Sequence, residues 1–427
     1  MSYLVISANL TIFVQMTGHE NHSYSRLAYR ADLFQEHQYF LDWLTDQITT
    51  QQIDVLLISG DIFDVANPSA QAQRQFYRFL RRVTEQNPGL QIILIAGNHD
   101  SASRLETPIP LLEEMNIQIR GTVRKRADGT IDTEELIIEL KDRSGKRQGW
   151  CLAVPYLRQG DYPAVESEGD PYQAGVKAMY DTLVACVEER RQKQEAIIAM
   201  GHLQAAGSQI SEGDQSERLI IGGLEGIPSS VFPSQITYGA LGHIHREQQI
   251  ANRNEIRYAG SPLPMSFAEE NYRHGVILLE IDKGILLNQT KIIFNPLVTL
   301  LRIPKHPAPL DEVLNRLSQL PEERDDHPAP FLEVRVLLTE PEPALRNKVE
   351  EALRTKQVRL TRVLPFYPDT VQLTKNENTL TTEELLDPWK LLNRVYERRY
   401  QNPLPEELAH LFREVIEESQ LKMGEKQ

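Results

Sequence analysis

The chain has 427 residues, 41% hydrophobic and 25% charged, a globular composition long enough for two or three domains with a sizeable core. Its two cysteines, Cys151 and Cys186, each sit in an apolar context, which argues against a disulfide scaffold or a thiolate metal site and reads as buried thiols. A net charge of −14 argues against tight unaided binding to nucleic acid, and no run approaches the ~20 apolar residues that a membrane helix needs.

The opening Met1-Ser2-Tyr3-Leu4-Val5-Ile6-Ser7 lacks the basic lead of a secretory signal, reads as a first strand and points to the cytoplasm. Leu33, Phe34, His37, Phe40, Leu41 and Leu44 recur at helical spacing, with His37 a core residue on that face. A strand over 55–58 follows. Phe76, Tyr77, Leu80 and Val83 predict a second helix, ahead of a strand over 92–95. Residues 123–132 read as a hairpin turn at Asp128-Gly129, and 174–194 as a helix before strands over 196–199 and 236–238. This alternation predicts an α/β fold, a layered sandwich with mixed sheets.

Directly behind these four strands stand Gly60-Asp61-Ile62-Phe63-Asp64, Gly97-Asn98-His99-Asp100, Gly201-His202 and Gly242-His243-Ile244-His245. Each strand is expected to stop at its glycine, which permits a sharp exit and turns the next side chain into a crevice. Carboxylate, carboxamide and imidazole without thiolate suit Mn(II), Fe(II) or Zn(II), and a carboxylate can bridge two ions. Two such ions can clamp a phosphodiester while one activates water. Taken singly, Gly-Asp also reads as a turn and Gly-His as a core histidine. Gly-Asn-His-Asp is sharper, and the four in order on one chain point to a site.

Past residue 290, Pro296, Pro304, Pro307 and Pro309 mark a linker or an extended edge. A helix over 310–320, a strand over 331–338, a helix over 343–355 and strands over 358–364 and 371–373 then make a small α/β unit. Leu391, Leu392, Val395 and Tyr396 form one apolar stripe and Leu408, Leu411, Phe412, Val415 and Ile416 a second. They read as two amphipathic helices that pack on their own domain or on a partner. Of the basic residues in the first 295 positions (Arg78, Arg81 and Arg82; Arg104; Arg124 to Arg126; Arg246, Arg253 and Arg257), most read as solvated faces. Arg104 and Arg246 stand beside metal motifs and are candidates for DNA contact.

The motif set resembles the calcineurin-like metallophosphoesterases. Asp61-Ile62-Phe63-Asp64, Gly97 to Ser101, Pro155-Tyr156-Leu157-Arg158, Leu241 to Arg246 and Tyr258 to Phe267 resemble one branch of them, the SbcD-type nuclease subunits of bacterial SbcC–SbcD complexes, related to Mre-type nucleases. That resemblance implies a nuclease domain over 1–295, a capping domain over 296–378 and partner-binding helices over 379–427. It implies two divalent ions, most naturally Mn(II). Asp61 would bridge them, Asn98, His202 and His243 would complete one shell, and His245 would serve the other. His99 would stabilise the transition state or protonate the leaving oxygen, with Asp64 and Asp100 orienting ligands. The implied activity is DNA repair and recombination chemistry: exonuclease action on double-stranded ends and endonuclease action on single strands or hairpins. The implied partners are an SbcC-type ATPase with a coiled coil, double- and single-stranded DNA, and a second copy in a homodimer.

One stretch departs from the pattern. The family carries Asp-x-His after its first strand, and counting back without gaps from Gly18 places Val14 and Met16 at those positions, so the first 17 residues are atypical. A frame or start difference, a true loss that leaves one metal tightly bound, or substitution by His19, Glu20 or His22 would each account for it. The readings left open are a calcineurin-like phosphatase or cyclic-nucleotide phosphodiesterase, and a catalytically weakened assembly subunit.

Overall fold

The computed structural model describes residues 33–167, 169–209, 226–322, 328–367 and 396, and the backbone of 3–8. Contacts divide the chain into Met1–Tyr367 and Pro368–Gln427. Of the second unit only Tyr396 is described, so the expected strand over 371–373 and both amphipathic stripes lie outside the described residues.

The first sheet joins β1 (Tyr3–Ala8), β2 (Val55–Ser59), β3 (Gln91–Ile95) and β4 (Ile117–Arg120) in parallel, and β11 (Gly275–Asp282) and β12 (Ile285–Ile293) extend it antiparallel beside β1. Strands β2 and β3 are buried on both faces, which is why they read as unbroken apolar runs. Their side chains nonetheless alternate. Leu56, Ile58, Ile92 and Leu94 pack with α1 (Phe34–Thr50) and α2 (Ala70–Gln86), whereas Val55, Leu57, Ile93 and Ile95 face the second sheet. Ser69 caps α2, its Oγ accepting from Ala72 N at 3.2 Å. His37 is buried on α1, as expected, with Nδ1 2.7 Å from the Leu33 carbonyl.

The second sheet runs β5 (Ile137–Lys141), β6 (Arg147–Ala153), β7 (Ala196–His202), β8 (Tyr238–Gly242), β10 (Arg253–Tyr258) and β9 (Gln248–Ile250). Again the faces divide. Cys151, Ile198 and Met200 meet the first sheet, while Trp150, Leu152 and Ile197 pack on α6 (Pro171–Glu188). The result is helix, sheet, sheet, helix: the layered α/β sandwich with mixed sheets. Helix α6 ends six residues before the expected 194, because 189–194 offer no apolar side chain to bury and the chain turns there to seat Glu195 against Arg147, Trp150 and the Gln192 amide.

A third sheet of β13 (Leu300–Pro309), β14 (Phe331–Leu337) and β15 (Arg359–Phe366) is parallel and carries its own core with α7 (Leu310–Ser318) and α8 (Leu345–Ala352). Pro304, Pro307 and Pro309 lie inside β13, an edge strand whose register shifts between Ile303 and Ala308. Three of the four prolines therefore belong to an extended edge, the place where a missing N–H does least harm, and Pro296 lies in the connection between β12 and β13. Leu33, Phe267, Val298 and Phe331 form a small cluster between this sheet and the sandwich. Both cysteines are free; Cys151 is buried and Cys186 half-buried. Among the described residues no helix is long and apolar enough to cross a membrane.

Candidate metal centre

The four motifs meet at one end of the paired sheets. One of the glycines acts otherwise than expected. Strand β7 runs through Gly201 to His202 and does not stop at its glycine, whereas β8 ends at Gly242. Both are also points of close approach: a Cβ on Gly201 would lie 2.5 Å from Tyr180 Oη, and one on Gly242 would lie 1.7 Å from the Ser59 carbonyl oxygen. Gly97 is packed likewise, 2.1 Å from Asp61 Oδ1 by the same measure. Gly60 alone of the four makes the left-handed exit, at φ +89. The ligand-type residues themselves take positive φ at Asp61 (φ 50) and His243 (φ 99), backbone that surrounding structure must enforce.

Asp61, His202 and His243 are all buried, with one potential ligand atom from each lying within 4.8 Å of the others. Asn98 joins them: its Oδ1 is 3.0 Å from His202 Nε2 and 3.3 Å from His243 Nδ1. His202 Nε2 is also 3.2 Å from Asp61 Oδ2. His202 Nδ1 faces the Ser59 carbonyl at 2.8 Å, and a carbonyl only accepts, so that nitrogen carries its hydrogen. If neutral, His202 would point a lone pair at two oxygen acceptors, so either a proton on Nε2 or a bound cation must lie between them. The O/N donor set fits a divalent ion of intermediate hardness.

The buried groups perturb one another. Burial works to raise the Asp61 carboxyl, yet His202, His99 and His243 outweigh it and hold Asp61 well below the usual carboxylate range. Burial lowers the His202 ring, but the Asp61 charge and the hydrogen bonds to Asp61 and Ser59 carry it upward. Burial and neighbouring His202 push His243 down to about 3, leaving it neutral with a free lone pair. Asp100 is pushed up to about 6 by burial and by the Asp61 charge, although it accepts from Gly97 N, Ile62 N and Phe63 N. The two bonds from Ile62 and Phe63 tie the Asn98 loop to the Asp61 loop.

His99 stands apart from the triad. Its N–H donates to Asp61 Oδ1 at 3.0 Å, and its Nδ1 donates to the Asp64 carbonyl at 2.8 Å with the Asp64 carboxylate 3.7 Å away, leaving Nε2 available. His245 is buried outside the triad, its Nδ1 3.1 Å from Glu269 Oε1. Tyr156 sets its ring edge-on to His202 at 6.2 Å. Arg104 and Arg246 are exposed and make no ion pair among the described residues, whereas Arg81, Arg82, Arg124, Arg126, Arg253 and Arg257 are paired with carboxylates. A cleft of about 550 Å³ beside Arg104 is lined by Tyr77, Ser101 and Ser103.

Val14, Met16, His19, Glu20 and His22 lie outside the described residues. The expected first strand is present as β1, but it ends at Ala8, six residues before Val14. The sequence directly behind it is Asn9-Leu10-Thr11. Glu269, Ser261 and the Ser59 carbonyl also belong to the network around His202 and His245 and were not expected from the sequence. Ser261 was visible inside the Tyr258 to Phe267 stretch, but nothing in the spacing ties Glu269 to a histidine 24 residues away.

Residues 26–247 match the family model for calcineurin-like phosphoesterases, and residues 296–400 match the model described as the type 5 capsule protein repressor C-terminal domain. Among curated proteins the chain is similar to the SbcD subunit of nuclease SbcCD from Rhodobacter capsulatus, 36% identical over 362 residues that cover 82% of this chain and 88% of that one. It is 31% identical to the corresponding SbcCD nuclease subunit of Escherichia coli K12 over 59% of this chain and 61% of that one. The counterpart of Bacillus subtilis is 30% identical over 61% and 62%, respectively.

Proposed function

The chain belongs to the SbcD family of calcineurin-like phosphoesterases, and from that premise we propose that it cleaves DNA phosphodiesters at the centre formed by Asp61, Asn98, His202 and His243. The observation that carries the reading is the convergence of these four buried or half-buried acceptors on one point. A divalent metal held there, most naturally Mn(II), supplies Lewis acidity to the phosphate and acidifies the attacking water. Asp61, reaching the centre from its strained loop, would be shared with a second ion that His245 would help to hold. His99, tethered through Nδ1, keeps Nε2 for the leaving oxygen. Asp100 and Asp64 hold the two loops that present these groups.

The exposed Arg104, next to the Ser101 and Tyr77 cleft, is a suitable contact for a DNA phosphate, and so is Arg246. With a net charge of −14, the grip on duplex DNA falls to a partner, which we take to be an SbcC-type ATPase, acting in a cytoplasmic DNA repair complex that holds two copies of this chain. Hydrolysis of bis-p-nitrophenyl phosphate, p-nitrophenyl phosphate and duplex DNA with Mn(II) tests the reading. Diester and DNA cleavage without monoester cleavage supports it, and preference for the monoester overturns it in favour of a phosphatase.

A further inference from the structure

His245 is fixed from behind. Its Nδ1 meets Oε1 of Glu269, a carboxylate that is 0% exposed and ends the short turn Phe267–Glu269. The other oxygen, Oε2, accepts from Ser261 Oγ at 2.8 Å, and Ser261 in turn lies 3.2 Å from His274 Nδ1. Among the described residues no lysine or arginine pairs with Glu269. A fully buried carboxylate needs a compensating charge, and a cation bound by the ring of His245 would provide it at short range.

The turn itself cannot drift. Arg302 of β13 donates to the Phe267 carbonyl at 2.8 Å and pairs with Glu270 at 2.5 Å, and the Arg362 guanidinium sits 5.6 Å over the Phe267 ring. Arg302 and Arg362 are both anchored on buried Glu333. The position of Glu269 is thus set by the third sheet as well as by the sandwich.

We propose that Glu269 is the positioning residue for His245. By accepting from Nδ1–H it fixes the tautomer, holds the ring in one orientation and presents the Nε2 lone pair to a cation. The inference rests on the reading of His245 as a metal ligand. Its test is Mn(II) affinity of the full chain by calorimetry, with metal-free thermal unfolding as a check of folding. Glu269→Gln should weaken the affected Mn(II) site about tenfold or more, the range for losing such a partner, and Glu269→Ala at least as much. In a His245→Ala background Glu269→Gln should add no further loss, because it acts through that ring.

If Glu269→Gln does not fold, Ser261→Ala decides: freeing one carboxylate oxygen should weaken Mn(II) binding in the same direction, by a few-fold. Unchanged Mn(II) affinity in the folded Glu269 or Ser261 variant overturns the proposal, as does an equal loss with and without His245. Should His245→Ala alone leave Mn(II) binding intact, the ligand reading fails first, and that result is distinct from the others.

Discussion

Asp61 and His243 hold φ values of 50 and 99, backbone that costs a side-chain-bearing residue on the order of 1–3 kcal/mol, and both are aimed at one point. His99 is ordinary by comparison, tethered by a backbone carbonyl and outside the cluster. His99→Ser should therefore keep Mn(II) binding and lower cleavage by roughly 10²-fold, the size expected for a lost proton donor or transition-state contact. Calorimetry beside a cleavage assay checks this, and loss of metal with activity would make His99 a ligand. The ligand types were legible because Gly-Asn-His-Asp and Gly-His-x-His are poor turn or core sequences. The behaviour of Gly201 and Gly242 was not, since the close approach of Tyr180 and the Ser59 carbonyl depends on a helix and a strand far away in sequence.

Every candidate metal-site residue among those described lies within three positions of its strand: Asp61 two past β2, Asn98 three past β3, His202 at the end of β7, and His243 and His245 one and three past β8. β1 pairs in parallel with β2, Ala8 level with Ile58, so the same rule points to Asn9 and Thr11 rather than Val14 and Met16 for the missing Asp-x-His. Installing Asp at 9 and His at 11 should raise tightly bound Mn(II) from about one toward two per chain, while the same pair at 14 and 16 should not. Mn(II) retained after desalting measures it. The strands were legible from β-branched runs buried on both faces, whereas a count back from Gly18 carries no strand register. In the third sheet, burial alone would raise the Glu333 carboxyl, yet Arg362, Arg302 and Arg335 hold it below the ordinary range. Its folded value being the lower one, its stabilisation is present above the unfolded value of about 4.3 and is lost as pH falls through the folded value. The stability gap between the native chain and Glu333→Gln should be about 3–5 kcal/mol near neutrality and should shrink in acid, as followed by urea unfolding at several pH values. A gap independent of pH would remove the charge from the explanation.

At the scale of the molecule, a chain of net charge −14 presents Arg104 and Arg246 without an ion pair among the described residues, while other arginines of the sandwich are engaged with carboxylates. Arg104→Ala should lower cleavage of duplex DNA several-fold and leave bis-p-nitrophenyl phosphate hydrolysis unchanged, because only the longer substrate reaches that side chain. Equal loss on both substrates would move Arg104 into the chemistry. The layered sandwich was readable from strand and helix alternation. The joint through Phe267, Arg302 and Glu333 was not, because it is made of single side chains from segments with no common pattern. On the proposed reading, the Asp61 cluster binds metal in order to break DNA phosphodiesters. The direct measurement is Mn(II)-dependent release of nucleotides from an end-labelled duplex by the native chain and by Asp61→Ala, with Mn(II) binding followed in the same preparations. Cleavage by the native chain, together with loss of both cleavage and most Mn(II) binding in the variant, is the expected result. Cleavage that survives in folded Asp61→Ala, or that proceeds without divalent metal, would contradict it.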